Sequence, residues 1–275
     1  MILVTGASGQ LATLILDHLT HRGAPVLGAS RTPRAGDRAM DFDRPASIDL
    51  TGVDTLVLIS AGYAEDDVVI ARHRAVLEAA RRDGVGHVIY LSLIGEGDHL
   101  GFALAHRVTE RMLTDPTGGP QWTILRNGLY AELVGGLLTW EDGALCSPFG
   151  EGAVAAPTRE DLARCAVEVA LSPGAHRGRV YELTGPAFTA VQLGATMAVP
   201  VRDLGLEAYR ARLAATPGLA PFQGPMLVSI ASSIRHGLLA RHHGDLAGLL
   251  GREPAPGLEA ARRRGASLPM TLTSD

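Results

Sequence analysis

Residues 2–4 form a short apolar run, Ile-Leu-Val, and Thr5 leads into Gly6-Ala7-Ser8-Gly9. Leu11, Leu14, Ile15 and Leu19 then recur at helical spacing. This order of strand, small-residue turn and amphipathic helix constrains the fold more than any other feature. The helix is expected to stop near Arg22-Gly23, and a second strand to begin at Pro25. Together these make a β-α-β unit of ordinary length, which requires a parallel second strand in the same sheet.

The pattern continues for the first half of the chain. Strands are predicted over residues 55–60, 87–92 and 122–126, and helices over 67–82 and 103–113. The strand runs are almost continuously apolar, as strands covered on both faces should be. The expectation is an α/β fold, a Rossmann-type doubly wound parallel sheet. After Arg126 the alternation weakens into a glycine-rich stretch over residues 127–152. Thr158 is placed to cap a helix whose first turn carries Glu160 and Asp161, and residues 179–183 read as one more strand. We expect residues 1–130 to form the main domain. Residues 131–275 then form a smaller substrate-covering lobe that returns at least one strand to the main sheet. Residues 226–240 are largely apolar and predict a core helix, a pocket wall or a dimer face.

The turn has the spacing G-x-x-G-x-x-A, with Gly6, Gly9 and Ala12 in the three small positions. Gly6 permits the sharp exit from the strand, Gly9 lets an anion approach the backbone, and Ala12 keeps the helix against the sheet. The helix N-terminus then offers its free amides to a pyrophosphate. After the second strand, where a carboxylate would bind an unphosphorylated ribose, the chain reads Ser30-Arg31-Thr32-Pro33-Arg34. Guanidinium groups at Arg31 and Arg34 suit a 2′-phosphate, so NADP(H) is the expected cofactor.

The turn, the arginine after strand two, Met-Asp-Phe-Asp-Arg-Pro-Ala-Ser from residue 40 and Thr-Ile-Leu-Arg-Asn-Gly-Leu-Tyr from residue 123 together resemble the NmrA-like atypical short-chain dehydrogenase/reductases. The likeness is greatest to their quinone oxidoreductase and triphenylmethane reductase branch. The resemblance implies that Gly6, Ser8, Gly9, Gln10 and Leu11 hold the pyrophosphate, and that Asp41 and Phe42 lie by the adenine. It places Ser60, Ala61 and Gly62 by the ribose, Ser92 and Leu93 by the nicotinamide, and Asn127, Gly128, Leu129 and Tyr130 along the nicotinamide and substrate pocket.

The chain contains no lysine; all 25 of its basic side chains are arginines. The Tyr-x-x-x-Lys pair of ordinary short-chain dehydrogenases is therefore impossible. His106 stands where related reductases carry a functional lysine, with Glu110 one helical turn on to orient it. It and Tyr130 are the candidate catalytic groups, although a good acceptor could be protonated by water instead. The implied activity is NADPH-dependent reduction of a conjugated small molecule such as a quinone or aromatic polyketide. Two alternatives stay open: a non-catalytic NADP(H)-sensing regulator, and a biosynthetic enzyme using the fold for a non-redox step.

A net charge of −4 argues against a nucleic-acid surface. No apolar stretch reaches membrane-spanning length, and no basic leader opens the chain, so a cytoplasmic monomer or homodimer acting on a small apolar or aromatic substrate is expected. His18 with His21, and His242 with His243, lack the spacing of a metal site, and Cys146 and Cys165 read as buried thiols.

Overall fold

In the computed structural model, residues 1–60 and 64–265 are described. The first half alternates strand and helix except between β2 and β4: β1 (Ile2–Thr5), α1 (Gln10–His21), β2 (Val26–Ser30), β3 (Arg38–Ala39), β4 (Thr55–Ile59), α2 (Asp66–Arg82), β5 (His87–Leu93), α3 (Ala103–Leu113) and β6 (Gln121–Asn127). It continues through α4 (Ala131–Gly136), β7 (Thr139–Glu141), β8 (Ala144–Ser147), β9 (Ala153–Val154), α5 (Arg159–Leu171), β10 (Arg179–Leu183) and β11 (Phe188–Thr189). The remaining elements are α6 (Ala190–Met197), β12 (Val201–Asp203), α7 (Leu206–Ala214), α8 (Gln223–Arg235), α9 (Asp245–Leu250) and α10 (Gly257–Gly265).

Seven strands form one parallel sheet in the order β10-β6-β5-β4-β1-β2-β3. The α/β expectation holds, and its physical cause is visible in β5, where all seven residues are buried between two helical layers. On one face Leu11, Ile15 and Leu19 of α1 pack with Leu162, Ala166 and Val169 of α5. On the other, Val76 and Ala80 of α2 and Leu113 of α3 cover Leu56, Leu58 and Tyr90. The strand order reverses direction between β1 and β4, which lie side by side. Their following connections diverge to opposite faces and leave a crevice at the carboxyl ends of the strands.

The second half is more structured than its glycine content suggested. Residues 127–152 contain α4 and a β7–β8 hairpin closed by Asp142 and Gly143, with φ of 48° and 75°. Positive φ at both loop positions suits the right-handed twist of the paired strands. β10 rejoins the main sheet beside β6 in parallel register, and α5 and α9 return with it. Thr158 caps α5 by accepting a bond from the Asp161 amide at 3.1 Å. A separate apolar core joins α4, α6, α7, α8 and α10 above the sheet's carboxyl edge, around Phe149, Leu193, Tyr209 and Ile234. Among the described residues, no helix is long and apolar enough to cross a membrane.

Candidate functional site

A cleft of about 850 Å³ runs from the β1–α1 turn to the second core. At its origin Gly6 has φ +66°, and the Gly9 amide bonds the Gly6 carbonyl at 2.9 Å. A side chain at Gly6 would be strained by that dihedral, and a Cβ at Gly9 would stand 3.3 Å from the Gly6 carbonyl. Gly9 is the cap position of α1, and no side chain caps the helix. The first-turn amides therefore face the cleft with their partial positive charge. Gly6, Ser8, Gly9, Gln10, Leu11 and Ala12 all line it.

Arg31 lines the same end, exposed; among the described residues it makes no hydrogen bond or close ion pair, though its charge helps to lower the Asp43 carboxyl. Arg34 is exposed and lies outside the cleft lining. Asp41 and Phe42 line the wall beyond Arg31. Beside them is a cation that sequence reasoning missed. Arg72 of α2 holds both oxygens of Asp43, at 2.6 and 2.7 Å, and this pairing keeps the Asp43 carboxyl below its usual range. Nothing in the local sequence joins residues 43 and 72; the packing of α2 beside the loop after β3 does.

Ser60 and Asn127 line the middle of the cleft, at the carboxyl ends of β4 and β6. Ser60 Oγ and Asn127 Oδ1 are buried with no hydrogen-bond partner among the described residues. Native interiors rarely leave such atoms unpaired, so both fit a bound polar ligand. Ala61 and Gly62 lie outside the described residues. Leu93 lines the cleft, and so does Ser92, but the Ser92 hydroxyl is committed to Glu110 Oε1 at 2.6 Å.

Glu110 is where the expectation fails. It does not orient His106. Its carboxylate is buried among Ser92, Arg107 (Nη1, 2.7 Å) and Arg126 (Nη2, 2.6 Å), and Arg126 also bonds Glu182 at 2.8 Å. Two guanidinium groups outcompete a neutral imidazole for a carboxylate. His106 instead bonds Tyr90, with 2.9 Å between Nδ1 and the phenol oxygen. Burial pushes its pKa down to about 4, with the Arg107 charge adding to the effect. His106 is thus neutral near pH 7. Tyr90 gave no signal of its own, because in the sequence it is one more apolar residue of a buried strand.

Tyr130 lines the cleft as the residue before α4, and the Arg159 guanidinium stands 4.9 Å from its ring centroid. Arg159 is held by Glu132, whose carboxylate also accepts the Arg159 amide at 3.2 and 3.3 Å. Gly128 and Leu129 follow along the wall. The far end is apolar, lined by Phe102, Leu133, Leu138, Met226, Leu227 and Ile230. The stretch over residues 226–240 supplies the last three from α8, the pocket-wall option among the readings of that segment. The run Arg262-Arg263-Arg264 closes α10, and Arg264 reaches the cleft rim.

No family model matches the chain. Quinone oxidoreductase 2 of Escherichia coli is 35% identical over 214 residues, spanning 72% of this chain and 73% of that protein. An NmrA-like family domain-containing oxidoreductase, flvB of Aspergillus flavus, is 29% identical over 293 residues, 95% of this chain and 94% of its own. The crystal structure of the Escherichia coli NADPH-dependent quinone oxidoreductase, complexed with NADPH, superposes with a TM-score of 0.82 at 30% identity, covering 96% of this chain and 99% of that one. That of Citrobacter sp. triphenylmethane reductase complexed with NADP(H) gives 0.81 at 25%, with the same coverage. Turn, sheet order and these likenesses converge: the chain belongs to the NmrA-like atypical short-chain dehydrogenase/reductase family, near quinone oxidoreductase 2 and triphenylmethane reductase.

Proposed function

We propose that this protein is an NADPH-dependent reductase of a flat, conjugated small molecule, with quinones as the first class to test. The observation that carries the reading is the two-ended cleft. One end is an uncapped helix N-terminus beside an uncommitted arginine; the other is an apolar wall. The first end suits a phosphorylated dinucleotide and the second an aromatic acceptor. NADPH, when bound, supplies the hydride.

The chain's own residues have distinct tasks in this reading. The amides after Gly6 and Gly9 bind the pyrophosphate, and Arg31 forks the 2′-phosphate. Ser60 and Asn127 offer their unpartnered oxygens to the ribose and carboxamide region. Leu129, Leu133 and the α8 side chains exclude water from the acceptor, which raises the effect of every oriented dipole in the cleft. Tyr130 and His106 flank the acceptor's position. Neither is paired with a lysine, so the acceptor takes its final proton from water or from a hydroxyl such as that of Tyr130, and orientation supplies most of the rate.

The test follows NADPH oxidation across quinones, triphenylmethane dyes and unsaturated ketones, beside fluorescence titrations with NADPH and NADH. Turnover of at least one acceptor class is expected. Arg31→Ala is expected to weaken NADPH binding about tenfold to a hundredfold, the value of a charge-assisted phosphate contact, and to leave NADH binding unchanged. Tight NADPH binding without oxidation of any acceptor would overturn the reductase reading in favour of a sensor. Equal affinity for the two dinucleotides would overturn the role of Arg31.

A further inference from the structure

His106 reaches the cleft from α3 with one ring nitrogen already committed. Its Nδ1 lies 2.9 Å from the hydroxyl of Tyr90, a residue of β5 with no exposed surface. A hydrogen bond between a phenol and an imidazole can run either way, and the direction decides what the ring shows to the cleft. The surroundings of Tyr90 set that direction.

The phenol of Tyr90 is protonated, because burial pushes its pKa far above the ordinary tyrosine value. A buried hydroxyl proton needs an acceptor. Among the described residues, the one contact of this hydroxyl with hydrogen-bond length and angle is to His106; the Thr109 and Ser60 hydroxyls stand near enough only to offset part of the effect of burial on its pKa. The nearby Thr109 hydroxyl gives its own proton to the Ala105 carbonyl at 2.7 Å and meets His73 Nδ1 at 2.8 Å. Ser60 Oγ has no contact of hydrogen-bond geometry among the described residues. If His106 were the donor, the buried Tyr90 proton would have only the poorly aligned Thr109 and Ser60 oxygens to turn to, at a cost of up to about 1–3 kcal/mol. The phenol therefore donates and Nδ1 accepts.

We propose that Tyr90 locks His106 in the Nε2–H tautomer, so that the ring presents a fixed neutral hydrogen-bond donor to the cleft, where it binds an uncharged oxygen of the ligand. The oxygen is a carbonyl or hydroxyl, from either the acceptor or the dinucleotide's ribose. The assignment of this ligand rests on the reductase reading; the tautomer does not. The ionisable groups facing His106 are Arg107 on its own helix, His73 on α2 and Tyr90 on β5, and none of them stabilises an added positive charge. Asp66, at the start of α2, accepts the Ala105 amide at 3.3 Å. Tyr90 is a positioning residue and His106 is the group that touches ligand.

The direct measurement is 15N NMR of the intact protein with labelled histidine, the His106 signals being assigned by their loss in His106→Gln. A nitrogen pattern of protonated Nε2 and bare Nδ1 at pH 7 is expected, with Tyr90→Phe converting it to a mixture of tautomers. A protonated Nδ1, or an imidazolium at pH 7, would overturn the proposal whether or not the protein reduces anything. In turnover assays His106→Leu should lose about threefold to tenfold, the value of one neutral hydrogen bond, while His106→Gln, which keeps an N–H donor, recovers most of it. A loss in acceptor kcat/KM alone identifies the acceptor oxygen, whereas a matching loss in NADPH affinity identifies the ribose. If Leu and Gln behave alike in both, His106 is not a donor to ligand.

Discussion

Replacing Glu110 by glutamine should destabilise the protein and loosen the centre of the cleft together. The carboxylate has only 9% of its side-chain surface exposed. It accepts from Ser92 at 2.6 Å, from Arg107 at 2.7 Å and from Arg126 at 2.6 and 3.0 Å. Removing one partner of a buried ion pair costs about 3–5 kcal/mol, chiefly because the remaining charge is stranded. Here the stranded charges keep other acceptors. Arg107 Nη2 still bonds the carbonyls of Leu93 and Ile94 at 2.9 and 3.0 Å, and Arg126 still bonds Glu182. Both arginines are partly solvated, with 18% and 25% exposure, which lowers the cost further. Glutamine also retains one acceptor oxygen. A loss of about 2–3 kcal/mol is the expected result, read as a lower urea midpoint with an unchanged slope. Because Arg107 grips the backbone just after β5 and Ser92 lines the cleft, NADPH affinity should fall as well. A change below about 0.5 kcal/mol would refute the reasoning, since surface ion pairs are worth that little.

Two further outcomes follow from packing and from burial. A Cβ at Gly135 would stand 2.2 Å from the Ala261 carbonyl, where α4 crosses α10. Gly135→Ala should thus cost about 2 kcal/mol or more and raise the acceptor KM, with NADPH affinity unchanged; an unaltered melting temperature would contradict this. Burial lowers His73 to about 3, and His87 and His106 to about 4, from 6.5. These rings stay neutral in the folded chain while the unfolded chain takes up protons. Their contribution to stability is full above about pH 6.5 and is lost as pH falls toward about 4, at up to about 1.4 kcal/mol per pH unit for each. His87→Gln keeps a donor for Thr123 Oγ1, 2.9 Å away in the native ring, and should flatten the decline between pH 7 and 5 in urea unfolding. An identical slope would remove His87 from the account.

What could be read from the sequence was what the sequence encodes over short distances. The β1–α1 turn declares itself because a positive φ, a close backbone approach and an amphipathic helix leave their marks within twenty residues or so. Helix α3 and strand β10 have the expected limits, since their periods and end signals are local. The lobe was illegible for the opposite reason. Its strands have two to four residues, too few to establish a period, and they are stabilised by partners far along the chain, such as β12 on β8. Among these short strands, β7 and β8 are the pair joined by a local hairpin, through the Asp142-Gly143 turn.

The site divides along the same line. Glu110 was assigned to His106 because four residues on a helix place side chains together, yet spacing says only who can meet. Charge decides who does, and Arg126 arrives from a strand that the helical spacing cannot see. Tyr90 and His106 are sixteen residues apart and meet because β5 and α3 close on each other. The β1–α1 turn is therefore written into one contiguous segment, whereas the far part of the cleft is assembled from β5, α3, β6, α4 and α8. On the proposed reading, substitutions on α8 or α4 change the acceptor while leaving undisturbed the turn at the opposite end of the cleft.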